Sequence, residues 1–199
     1  MNYRILLFSL CLPLFSKAQS EDTKPSLEKL SNNALKFRSV GPAFTSGRVS
    51  DIAVNPDNND EYYVAAASGG VWKTINHGIT YDPVFDSQGS YSIGCITISS
   101  HNTNEIWVGS GENNNQRSVG YGDGVYKSID GGSSWKNMGL KNSEHIGMIK
   151  IHPKKPNTIF VAAYGPLWSS GGDRGINKSE DGGTTWKNVL EVSEHTGFN

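Results

Sequence analysis

Lys127–Asn137 reads "KSIDGGSSWKN" and Lys178–Asn188 reads "KSEDGGTTWKN". Eight of the eleven letters coincide, and the copies stand 51 residues apart. A single acid beside two glycines fits a catalytic loop, a metal site or a braced turn. Two copies at a fixed distance point to a repeat, which has to be tested before any site is argued. One period earlier stands Lys73–Tyr81, "KTINHGITY", a degraded copy with Asn76 for the Asp and Tyr81 for the Trp.

Upstream of each copy the pattern continues. Ile52-Ala53-Val54, Ile96-Thr97-Ile98 and Ile149-Lys150-Ile151 alternate as strands do. Each is followed by a second β-rich run, Tyr62-Tyr63-Val64, Ile106-Trp107-Val108 or Ile159-Phe160-Val161. Ile52 to Val64, Ile96 to Val108 and Ile149 to Val161 are all separations of twelve. The letters between the runs, "NPDNND", "SSHNTN" and "HPKKPN", suit tight turns. A third run ends in Val71-Trp72, Val125-Tyr126 or Ile176-Asn177, and a fourth strand follows the repeated turn. Four antiparallel strands at a period of 44 to 53 residues predict an all-β chain built as a β-propeller, with about three blades present. Length varies mainly between strands two and three.

The repeated turn has a chemistry that suits this position. An Asp can accept hydrogen bonds from N–H groups of its own turn. The glycines permit positive φ without a Cβ clash. A structural role is therefore expected for Ser128, Asp130, Gly132 and Trp135, and for Ser179, Asp181, Gly183 and Trp186, with each Trp turned inward as an apolar anchor. A calcium loop needs several oxygen donors converging, whereas each turn offers one carboxylate. No metal or cofactor is expected.

Bulk properties narrow the class. The chain has 199 residues and a net charge of −1, with dispersed basic residues, so neither nucleic acid nor an anionic membrane surface is an expected partner. Arg4, the apolar run Ile5–Phe15 and Ser16-Lys17-Ala18 before Gln19 read as a secretory signal peptide over 1–18, too short to span a bilayer. Cys11 follows Leu10, which does not fit a lipoprotein anchor. After cleavage only Cys95 remains, read as a small buried residue. A polar leader is expected over 19–34 and a partial propeller over 35–199. Within it, 35–42 resembles a fourth strand and reads as a ring-closing outer strand. Blades follow at 48–86, 92–140 and 145–190, and a fourth unit starts at 191–199. Propellers have at least four blades, so further blades of a larger, secreted or periplasmic protein are expected.

The motif S-x-D-G-G-x-T-W resembles the Asp-box, or bacterial neuraminidase repeat. That repeat occurs in sialidase propellers, in two-propeller xyloglucan-cleaving glycoside hydrolases and in the ten-bladed domain of sortilin. The longer stretches "FRSVGPAFTSGRVSDIAVNP", "ASGGVWKT" and "GSGENNN" are similar to large secreted bacterial proteins with a sortilin-like propeller, often described as glycosyl hydrolases on repeat similarity alone. The resemblance runs from Leu35 to Asn199. It implies a structural role for the box at the blade periphery and leaves activity open. Xyloglucan-cleaving relatives place a catalytic Asp just before Gly-Gly in the first blade; this chain reads Ala66-Ala67-Ser68-Gly69-Gly70, with no carboxylate. The arginine triad and Tyr nucleophile of sialidases are not established by Arg48, Arg117 and Arg174.

Function is expected on the face opposite the boxes, where the loops between strands two and three meet the links from strand four to the next strand one. Arg48, Ser92 and His145 stand at equivalent places, each before a first strand, and Glu144-His145 recurs as Glu194-His195. These residues either converge on a ligand or simply cap their strands. Glu112, Asn113, Arg117 and Asp123 in one loop, with Trp168, Asp173 and Arg174 in the next, form the densest polar set. Glu112 with Asp123 or Asp173 could supply the two carboxylates that a glycosidase needs; equally, these acids could hold their own glycine-rich loops. Trp168 is either a sugar-stacking platform or a packing residue. The candidate binding residues are thus Arg48, Glu112, Asn113, Arg117, His145, Trp168, Arg174 and His195. The leading expectation is a module binding a peptide, protein or glycan; the alternative is a glycoside hydrolase.

Overall fold

The computed structural model describes residues 47–114 and 119–199. The signal-like segment, the polar leader, the outer strand expected at Phe37–Gly41 and Arg117 lie outside the described residues.

The described chain forms three four-stranded antiparallel sheets in sequence order. The first holds β1 (Val49–Val54), β2 (Tyr62–Ala66), β3 (Gly70–Thr74) and β4 (Asp82–Pro83). The second holds β5 (Ile93–Ser99), β6 (Asn102–Ser110), β7 (Val125–Ser128) and β8 (Lys136–Asn137). The third holds β9 (Ile146–His152), β10 (Lys155–Ala163), β11 (Gly175–Ser179) and β12 (Lys187–Leu190). These are propeller blades, and the all-β expectation holds. The one helical element among the described residues is a 3-10 turn at Lys141–Ser143.

The separations of twelve turn out to be register. Ile52 pairs with Val64, Ile96 with Val108 and Ile149 with Val161, each across the first hairpin of its blade. The strand ends nearest the turns differ between the hairpins, yet these central pairs keep one register. Strand three runs further than its apolar letters indicate, to Thr74, Ser128 and Ser179, which open the acid-glycine turns. Those hydroxyl residues still pair across the sheet or lie at its end, Ser128 opposite Ile106 and Ser179 opposite Ile159.

The core lies between blades. One buried cluster joins the first two sheets through Tyr63, Val71, Phe85, Ile93, Ile96 and Ile106, with Trp135 packed against it. A second joins the next two through Cys95, Trp107, Val125, Ile146, Ile149 and Ile159, with Trp186 against it. Burial pushes the Cys95 thiol up to about 12, so it stays protonated. The tryptophans also make a directional link. Trp135 Nε1 donates to the Val84 carbonyl of the preceding blade at 2.7 Å, and Trp186 Nε1 to that of Met138 at 2.7 Å.

Two ends of the blades can be told apart by backbone bonds. At one end the acid-glycine turns meet the first hairpin of their own blade: His77 N–H donates to Asp60, Gly131 to Asn104 and Gly182 to Asn157. At the other, Ala67 N–H donates to the Arg48 carbonyl, Gly111 to Ser92 and Tyr164 to His145. Each of these last pairs is 19 residues apart. The three residues before the first strands are therefore equivalent in space as well as in sequence.

Candidate functional site: a cleft on the loop-rich face

The acid-glycine turns are closed on themselves. The Ser128 hydroxyl donates to Asp130 Oδ1 (2.8 Å) and accepts from Gly132 N–H (2.9 Å). The same carboxylate accepts from Ser134 N–H (2.8 Å) and, through Oδ2, from the Ser134 hydroxyl (2.5 Å). Asp181 repeats the set with Ser179 (2.8 Å) and with the N–H (2.9 Å) and hydroxyl (2.6 Å) of Thr185. Donation from the Ser134 or Thr185 hydroxyl, followed by the backbone N–H, holds each carboxyl at about 2. The degraded copy keeps the pattern: Asn76 Oδ1 accepts from the Thr74 hydroxyl (3.0 Å) and Thr80 N–H (2.9 Å). His77 takes φ 60 where Gly131 and Gly182 take φ 66 and 72. Gly183 (φ 91) has a second constraint, since a Cβ there would stand 2.5 Å from the Trp107 ring.

On the opposite end a cleft of about 650 Å³ opens between two loops and the C-terminal segment. Glu112, Asn113 and Asn114 form one wall. Tyr164, Pro166, Leu167, Trp168, Ser169, Ser170 and Arg174 come from the β10–β11 loop, and His195 and Gly197 complete the lining. Of the candidate residues, Glu112, Asn113, Trp168, Arg174 and His195 are thus brought to one place.

Glu112 is 5% exposed and held from three sides. Arg48 NH2 lies 3.2 Å from Oε1, the Ser68 hydroxyl donates to the same oxygen at 3.2 Å, and Gly120 N–H donates to Oε2 at 3.2 Å. Arg48 reaches the site only through this ion pair across two blades. Asn113 is fixed through Nδ2 on the Gly94 carbonyl (2.8 Å), and its own carbonyl accepts from the Tyr164 hydroxyl (3.0 Å).

Arg174 is 6% exposed, and its guanidinium serves its own loop. Nε donates to Gly171 (2.8 Å), NH1 to Tyr164 (2.6 Å), and NH2 to Ser169 (2.6 Å) and Pro166. Four carbonyls gather around one side chain, and the strand-like Tyr164 and the tip at Trp168 are fixed by the same group. Trp168 itself is 69% exposed.

His145 is fully buried beneath the cleft wall, with Nδ1 2.9 Å from the Glu112 carbonyl. Desolvation lowers its pKa, so the ring is neutral at pH 7. His195 is the exposed counterpart, beside Glu194 at 3.4 Å. The pairing repeats in the backbone, where Gly122 N–H donates to Glu144 and Gly171 N–H to Glu194. The His145 ring lies against Glu112 and Tyr121 of the β6–β7 loop, whereas the His195 side chain is exposed.

The other two carboxylates are engaged elsewhere. Asp123 accepts from the Tyr126 hydroxyl (2.6 Å) and the Ser110 hydroxyl (3.3 Å). Asp173 accepts from Asn142 N–H (2.9 Å), and its own N–H donates back to the Asn142 carbonyl. Among the described residues Glu112 is the sole carboxylate on the cleft wall. Ala67, before the Gly69-Gly70 pair of the first blade, is 1% exposed. Among the described residues no three of His, Cys, Asp and Glu converge to hold a metal ion. The structure adds one feature that sequence reasoning passed over, the ring of carbonyls around Arg174.

No family model matches the chain. A curated relative, a probable oligoxyloglucan-reducing end-specific xyloglucanase of Neosartorya fischeri, is 28% identical over 170 residues. That match covers 80% of this chain and 20% of the relative, so the chain spans about a fifth of the relative's length. Among solved structures, an ancestral GH74 enzyme superposes with a TM-score of 0.59 at 22% identity, over 77% of this chain and 19% of that one. An auxiliary nutrient binding protein from Bacteroides thetaiotaomicron superposes with a TM-score of 0.53 at 13% identity, over 76% and 32%. The likeness is one of fold: the chain has a propeller architecture of the kind found in glycoside hydrolases.

Proposed function

We propose that this chain is part of an exported, sortilin-like Asp-box propeller whose loop-rich face binds a ligand without cleaving it, and that the ligand is a glycan. The observation that carries the reading is Trp168, a largely exposed indole at the rim of a concave cleft of mixed polar and apolar lining, on a loop that Arg174 fixes. A flat apolar ring beside amide and hydroxyl groups suits a sugar ring, which has an apolar face and an equatorial belt of hydroxyls. The similarity to a xyloglucanase supports a neutral plant-type glucan as the ligand class. A peptide or protein partner is the competing occupant of the same face. Export, with residues 1–18 removed, and membership of a larger protein belong to the same proposal.

A second reading, glycoside hydrolysis, is favoured by that sequence similarity alone. It would require Glu112 to work with a partner other than Asp123 or Asp173, since Asp123 is bonded to Tyr126 and Asp173 to the Asn142 backbone. One experiment separates the readings. Titration of xyloglucan oligosaccharides into the protein is expected to give binding without turnover. Trp168→Ala should weaken it about tenfold, the loss of roughly 1.4 kcal/mol of stacking. Release of reducing ends by the wild type, abolished in Glu112→Gln, would instead establish the hydrolase.

A further inference from the structure

Two more aromatic side chains stand exposed on the same face as Trp168. Tyr91, in the link before β5, is 68% exposed, and Tyr121, in the β6–β7 loop, is 57% exposed. Tyr121 is joined to the cleft wall through His145, and Tyr91 to Tyr121 through Ser90. The Tyr91 carbonyl accepts from Gly70 N–H at the edge of the first blade, and the neighbouring Ser90 hydroxyl donates to the Tyr121 carbonyl at 3.0 Å. The Tyr121 ring lies 5.5 Å from the buried His145 ring, tilted by 47°. His145 in turn contacts the Glu112 carbonyl and accepts the N–H of Tyr164, both on the cleft wall.

We infer that Tyr91 and Tyr121 continue the cleft as an aromatic track, so that the ligand is an extended neutral glycan chain lying across all three described blades. This rests on the reading of the cleft as a glycan site and specifies the ligand's length. Isolated exposed aromatics are ordinary on a protein surface; here the Tyr121 ring rests on the imidazole beneath the cleft wall, and Tyr91 neighbours it through the Ser90–Tyr121 bond. The chemistry around them selects the occupant. The carboxylate and guanidinium on the path, Glu112 and Arg48, neutralise each other, and the Arg174 charge is surrounded by carbonyls. His195 at the rim stands beside Glu194, and the rest of the lining is hydroxyls, amides, backbone and the apolar Pro166 and Leu167. Such a surface offers a polyanion little and a neutral polymer of apolar-faced rings several stacking places.

Calorimetric titration of the full chain with cellobiose and with cellohexaose tests this. Cellohexaose is expected to bind at least about tenfold more tightly than cellobiose. In Tyr121→Ala the ratio of the two affinities should fall close to one, while Trp168→Ala should weaken both sugars. Equal affinities for the two lengths in the wild type, or a ratio unchanged by Tyr121→Ala, would overturn the track while leaving the glycan site standing. Binding of neither sugar, with a proline-rich peptide bound instead, would overturn both. Tyr121 is exposed, and a melting curve matching the wild type shows that its variant folds.

Discussion

Asp130 and Asp181 are exposed, yet each accepts three hydrogen bonds from its own turn. Their effect belongs to local geometry, and it has a pH signature. With folded values of about 2 against an ordinary 3.8, the folded state binds fewer protons than the unfolded one in that interval. The contribution is fully present above the ordinary value and is lost as pH falls towards 2. Thermal melting followed by circular dichroism should therefore show a midpoint that declines between about pH 4 and pH 2. In the double variant Asp130→Asn, Asp181→Asn that decline should be shallower; an identical slope would mean that the turns do not couple to folding. This part of the molecule could be read from letters, because donor, acceptor and glycine all lie within six residues. The residues of the cleft were legible as a set, for the opposite reason: loop length and polar density mark the face. The bonding of Arg174 was not, since its acceptors are backbone carbonyls that no side-chain letter records.

At the level of elements, one pattern escaped the sequence reading although its letters were quoted in full. The Lys that opens each turn motif sits over the aromatic residue paired with it on strand two. Lys73 lies 5.3 Å from the Tyr63 ring, Lys127 4.8 Å from Trp107 and Lys178 5.8 Å from Phe160. Cross-strand register makes them neighbours, and register becomes visible only when both strands are placed. Each such pair contributes on the order of 0.5–1 kcal/mol where exposed. The β10–β11 loop is the element on which the proposed ligand binding depends. Removing the Arg174 guanidinium leaves its carbonyl partners unmatched, and a hydrogen bond to a charged donor is worth about 1.5–3 kcal/mol. Arg174→Ala is expected to cost at least about 2 kcal/mol in denaturant unfolding. Hydrogen exchange over 164–175 should also accelerate, and Arg174→Lys should recover only part of that protection. Unchanged exchange in the Ala variant would show that the loop is held by other means.

Across the whole molecule, cohesion comes from contacts between successive blades. Besides the two apolar clusters, Ile96 N–H donates to Asp51 Oδ2 at 3.0 Å, and the Thr97 hydroxyl donates to the Ile149 carbonyl at 2.9 Å. Trp186→Phe keeps an aromatic ring but removes the Nε1 bond to Met138 together with part of the indole's packing. It is expected to lower stability by about 1 kcal/mol and to raise exchange in β9–β12 more than in β1–β4. A uniform rise across all three sheets would indicate a single cooperative unit. Ring closure was the one large-scale expectation that rested on residues 35–42, which lie outside the described residues. The indole latch also has a sense: the Nε1 donors of Trp135 and Trp186 both reach to the blade made before their own. A polypeptide emerging N-terminus first therefore meets each docking partner already in place, so vanes can be added one by one as synthesis proceeds. Lengthening such an array by duplicating a unit requires no new joint chemistry, because each newcomer brings its own hook and leaves a carbonyl for its successor.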